Sequence, residues 1–113
     1  MSKTGFPKLT REMAERRSEL APVQDSAFHV FSKAVFQKGA LPSKTKQLIA
    51  VAAAHITQCP YCIRGHTRSA KRAGASDEEV MEAIWVAVEM KAGAAFTHAA
   101  IALETLEDLK DKD

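Results

Sequence analysis

No stretch of this chain alternates polar and apolar residues over a useful length, while proline, glycine and capping residues cut it into segments of helical periodicity. That punctuation leaves all-α as the fold class. A polar first helix is expected over about 10–20, ending before Pro22. A second carries Ala27, Phe28, Phe31, Val35 and Phe36 on one stripe and runs to Gly39. The segment LPS at 41–43 opens a third, with Ser43 as its N-cap, reaching His55 or Ile56. Pro60 suits a first helical turn and not an interior, so a fourth helix begins at the cysteines, with Cys59 near the N-cap, and ends at Gly74. SDEE at 76–79 is a capping box, Ser76 with Glu79, that starts a fifth. A sixth is expected from near Gly93 into the charged tail EDLKDKD.

At 113 residues the chain is long enough for one domain, 1–113, with its core over 22–107. The longest wholly apolar run, LIAVAAA at 48–54, is too short to span a bilayer, and MSKTGFPKLTREMAERR holds no apolar stretch of signal-peptide length. The expected location is the cytoplasm, with no membrane partner. Net charge is +2, and acidic and basic residues are interleaved. HTRSAKR at 66–72 is cationic, yet aromatics are only 6% of the chain, too few for base stacking, so it reads as a solvated helix face and not as a nucleic-acid surface. AVAAA in the third helix and AGAAFTHAA in the last are small-residue stretches that let helix backbones approach closely, within a subunit or between subunits. The core that such helices build is thin, and an oligomer is expected to complete it.

Both cysteines lie in AHITQCPYCIRGHTRSA, residues 54–70. A thiolate is the reactive form of cysteine, and a helix N-terminus stabilises it. Cys59 and Cys62, three positions apart on one first turn, can close a disulfide with little chain movement. His66, four residues after Cys62, lies one turn further on the same face, within reach for proton transfer. If helices three and four form an antiparallel hairpin turning near Ile56–Thr57, position 47 comes level with position 66. Gln47 is then a candidate to orient His66, and His55 lies near enough to the turn to approach the cysteines. Two thiols and a base form a kit for reducing a peroxide or exchanging a disulfide. His98 is a lesser candidate from the last helix and His29 a weaker one. Tyr61 is expected only to shape the mouth of the site.

The same residues bear other readings. His55, Cys59, Cys62 and His66 have the ligand types of a zinc site, although on one continuous helix they would spread over about 16 Å and could not meet at one ion. The cysteines could also be inert packing residues.

Residues 41–100 resemble the carboxymuconolactone decarboxylase-like superfamily, and within it the alkylhydroperoxidase AhpD-like branch. The specific part is Cys59-x-x-Cys62 followed by three residues and His66; LPSKTK at 41–46 and AKRAGAS at 70–76 support it. The decarboxylase branch lacks the cysteine pair. The resemblance implies an all-helical subunit of about six helices that assembles as a homo-trimer or homo-hexamer, with its site in a helical hairpin. It further implies Cys62 as the peroxide-reactive thiol, Cys59 as its resolving partner, and His66 as the base. A hydroperoxide is the implied substrate and a dithiol protein the electron donor. No flavin, haem or other cofactor is implied, because the thiols supply the electrons. Two departures weaken the relay: the branch has a glutamate where Gln47 stands, and Tyr61 replaces a histidine often found between the cysteines. His55 is a candidate substitute for proton transfer. The rival expectations are a non-catalytic redox sensor or scaffold, and a Cys/His metal-binding module.

Overall fold

The computed structural model describes residues 5–111, and among them all regular structure is helical. The chain divides into two compact units, residues 1–46 and 47–113.

The first unit contains α1 (Arg11–Leu20), α2 (Pro22–Phe36) and the opening turn of α3 (Ser43–Thr57). Thr10 caps α1, its hydroxyl accepting the Met13 N–H at 3.2 Å. Ala21 ends α1, and Pro22 starts α2 at once, since its missing N–H would have had no helical partner there. Two expectations need correction. Helix α2 stops at Phe36 and not at Gly39, because Gln37 is extended. The Lys46 ammonium reaches the Val35 carbonyl at 2.8 Å and the Gln37 carbonyl at 2.5 Å, satisfying acceptors at that helix end. Nor is Ser43 an N-cap: it is the first residue of α3, and its hydroxyl donates to the Phe36 carbonyl at 3.2 Å.

The second unit holds the rest of α3, α4 (Pro60–Arg72) and α5 (Asp77–Lys110). Its core is small. Val51 of α3 and Ala70 of α4 are fully buried, and Ala75 and Val80 join them, with Leu48 and Ile84 packed around. The alanines let α4 lie close to α3 and to the start of α5, which holds the α3–α4 hairpin in register. Both helices of the hairpin end with a left-handed residue, followed by an N–H that bonds back to the carbonyl five residues earlier. After α4, Gly74 has φ +97° and Ala75 N–H donates to Ala70 O at 2.9 Å. After α3, Gln58 has φ +58° and Cys59 N–H donates to Ala54 O at 3.1 Å. A side chain in this conformation costs about 1 kcal/mol or more relative to glycine. Gln58→Gly is therefore expected to stabilise the fold by about 0.5–1 kcal/mol, after allowance for its more flexible unfolded chain. Denaturant melts of the two proteins check this; an unchanged or lower midpoint would count against it.

The Ser76–Glu79 capping box forms as expected: Glu79 N–H donates to Ser76 Oγ at 3.1 Å and Ser76 N–H to Glu79 Oε1 at 2.9 Å. The break expected near Gly93 does not. The fifth and sixth segments are one helix of 34 residues. An isolated glycine costs a helix only about 1 kcal/mol, less than the alanine-rich flanks return. Glu89 lies along the helix here, its Oε1 3.3 Å from where a Gly93 Cβ would stand. Helix α5 is long and apolar enough by length and composition alone to cross a bilayer. Glu89 and Lys91, however, sit midway through its apolar stretch between Glu82 and Glu104.

Candidate active site

The α3–α4 turn is the site. Cys59 follows the left-handed Gln58 and is itself the N-cap of α4, with Pro60 next to it in the first turn. Its backbone is held on both sides: its N–H bonds back to Ala54, and its carbonyl accepts the Ile63 N–H at 2.9 Å. Its sulfur accepts the Cys62 N–H at 3.2 Å, taking the place of a serine or aspartate oxygen. The first turn of α4 carries no acidic side chain, so no carboxylate of that turn competes with the Cys59 sulfur for the helix end.

The two thiols, both free and half-buried, are unequal. The Cys62 thiol hydrogen-bonds to the Cys59 sulfur, and together with the Cys62 N–H it holds Cys59 below the usual thiol range. Cys62 is pushed up, first because its proton is engaged by Cys59, then by partial burial and by the neighbouring negative charge. These directions favour the thiolate at Cys59 and the thiol at Cys62.

His66 lies one helical turn beyond Cys62, a spacing that puts Cβ atoms about 5–6 Å apart. The structure brings it to Gln47 of α3: Nδ1 is 2.8 Å from Gln47 Oε1. An amide oxygen only accepts, so Nδ1 carries the hydrogen, and a neutral His66 keeps a lone pair on Nε2. His55 turns to its own helix, its Nδ1 donating to Val51 O at 2.7 Å. That bond joins His55 to the backbone and not to either thiol. His98 stands exposed on α5. His29 belongs to the first unit, where Nδ1 donates to Asp25 O at 2.7 Å. Among the described residues no three His, Cys, Asp or Glu side chains are grouped to hold a metal ion. The residue that the sequence reading passed over is Gln58. Its left-handed backbone sets the direction in which Cys59 leaves α3, and nothing in TQCP signals this, because glycine and asparagine are the usual markers.

Comparison with known proteins follows the same lines. The model of the carboxymuconolactone decarboxylase family matches residues 24–105. "Uncharacterized protein 4 in cox locus" of Paracoccus denitrificans is 51% identical over 109 residues, covering 96% of this chain and 97% of that one. The crystal structure of a carboxymuconolactone decarboxylase family protein from Legionella pneumophila superposes with a TM-score of 0.66 at 38% identity, covering 86% of each chain. A Thermotoga maritima protein of that family, for which a part in the antioxidative response has been suggested, gives a TM-score of 0.58 at 32% identity, over 79% of this chain and 92% of that one.

Proposed function

The chain belongs to the carboxymuconolactone decarboxylase family, and from that premise we propose that it is a dithiol oxidoreductase that reduces hydroperoxides. One observation carries the reading: two free thiols share the first turn of α4, with Cys59 Sγ 3.2 Å from Cys62 N, so a disulfide can close with little chain movement. The His66–Gln47 pair supports it by supplying a base of defined tautomer one turn away. The suggested antioxidative role of the Thermotoga relative agrees with it.

In the proposed cycle a hydroperoxide gives its distal oxygen to one thiolate, forming a sulfenic acid and releasing an alcohol. The second thiol displaces that oxygen as water and closes the Cys59–Cys62 disulfide. The two electrons come from the thiols, and a cellular dithiol donor returns them by exchange. A reducing compartment suits this cycle, and we place the protein in the cytoplasm as a homo-oligomer, trimeric or hexameric. A second reading, a redox sensor that oxidises once and does not turn over, draws on Gln47, whose amide cannot take on a proton as a carboxylate would.

Reduced, chelator-treated protein exposed to cumene hydroperoxide should lose two hydrogens by intact mass and yield a linked Cys59–Cys62 peptide. Dithiothreitol should then sustain continuous peroxide consumption. Thiols that stay reduced would refute the redox reading, and a single oxidation without turnover would favour the sensor.

A further inference from the structure

Resting on the dithiol reading above, the geometry points to Cys59, not Cys62, as the thiol that attacks the oxidised substrate, with Cys62 as the resolving thiol and His66 as the base for that second step. Resemblance to the AhpD-like branch implies the opposite order. In this chain the surroundings of the two sulfurs differ in kind.

Cys59 Sγ is an acceptor. It caps α4, receives the Cys62 N–H at 3.2 Å, and faces a helix end with no acidic side chain in its first turn. Each of these favours the ionised sulfur over the protonated one, so Cys59 needs no separate base. Cys62 lies within the turn, and its own N–H is committed to Cys59. The Cys59 sulfur beside it and partial burial push its thiol above the ordinary range. The base is on Cys62's side: His66 follows it by one turn, and the bond to Gln47 places the hydrogen of the neutral ring on Nδ1, making Nε2 the basic nitrogen.

The order also accounts for Gln47. If attack on the substrate began at Cys62 through His66, a carboxylate behind the imidazole would help to carry the charge. If His66 only takes the Cys62 proton during closure, a neutral amide that fixes the tautomer is sufficient. In the first step Cys59 thiolate attacks the distal oxygen of ROOH, the O–O bond breaks, and the departing alkoxide takes a solvent proton. Cys59 is then a sulfenic acid. In the second, Cys62 gives its proton to His66 Nε2 and its sulfur attacks the Cys59 sulfur. The S–O bond breaks, and hydroxide leaves as water on taking a proton. The sum is ROOH plus two thiols to ROH, water and one disulfide.

The order can be read without any variant. Reduced wild-type protein, alkylated with limiting iodoacetamide at pH 7 and peptide-mapped, should be labelled at Cys59 about tenfold or more faster than at Cys62. Cumene hydroperoxide with dimedone should then trap a sulfenic acid on Cys59 in Cys62→Ser, which keeps the backbone N–H. Cys59→Ser should give a much slower adduct on Cys62. Equal labelling, or Cys62 labelled first, would overturn the assignment. Cys59-first labelling with no dimedone adduct in either variant would uphold Cys59 as the initiating thiol and overturn the hydroperoxide as its substrate.

Discussion

Disulfide closure in a His66→Ala protein is expected to run about 10²–10⁴-fold slower than in wild type at pH 7, the usual contribution of a positioned general base. The Cys62 thiol is pushed up by its engagement with Cys59 and by partial burial, which favours the protonated form at neutral pH. As a thiol it is a poor nucleophile, so closure at neutral pH depends on removing that proton. The sign of the pH dependence follows. Cys62 is raised above its ordinary value, so in the variant its thiolate appears only as the pH climbs past the usual thiol range, and the deficit should shrink there. Single-turnover oxidation, quenched with maleimide and read by mass, measures closure directly. Gln47→Leu should lie between the two, because it removes the partner 2.8 Å from Nδ1 and frees the tautomer while keeping the imidazole. Closure that is equally fast in His66→Ala and wild type at pH 7 would remove His66 from the step.

Phe96→Glu is expected to break the homo-oligomer proposed above. Helix α5 spans 34 residues, about 50 Å at the helical rise. Its apolar side chains lie on several faces and are largely uncovered: Phe96 is 83% exposed, and Trp85, Met90, Ile101 and Leu103 are each at least 60% exposed. A helix that is apolar around most of its circumference is stable in water only when something covers it. We assign that cover to further copies of this chain, since the small residues around Gly93 let like helices approach closely. An unpaired carboxylate buried there would cost about 3–5 kcal/mol. Wild-type protein should sediment as a multiple of 12.3 kDa, and Phe96→Glu should shift toward the single chain and melt earlier. Identical sedimentation and melting of the two proteins, or a monomeric wild type, would refute the assignment.

Much of this protein is local, and what is local was legible. Pro22 marks a helix end, and Pro60 and the Ser76–Glu79 box mark helix starts, whatever the rest of the chain does, because each acts on backbone groups within one turn. The spacing of Cys59, Cys62 and His66 likewise defines one face of one helix, so the dithiol could be read directly from the letters. Where a feature depends on competing partners, local chemistry does not decide it. Ser43 has the chemistry of an N-cap, but the Phe36 carbonyl takes its hydroxyl. Gly93 looks like a break, but a single glycine is too weak to end a helix that its alanine flanks favour.

What only the tertiary structure decided is how the site's groups face one another. Hairpin counting could bring Gln47 level with His66, but only the small core that gathers Val51, Ala70, Ala75 and Val80 sets α3 close enough to α4 for a 2.8 Å bond. His55 has the same side chain as His66 and lies as near to the cysteines in sequence, yet it turns to the Val51 carbonyl. The inequality of the two thiols depends on the direction of one N–H and on the left-handed turn at Gln58 that aims it. Sequence spacing specifies which groups share a helix face, because the helical repeat is constant. Which sulfur accepts and which donates is a matter of about an ångström between neighbouring turns, and the packed hairpin alone supplies that.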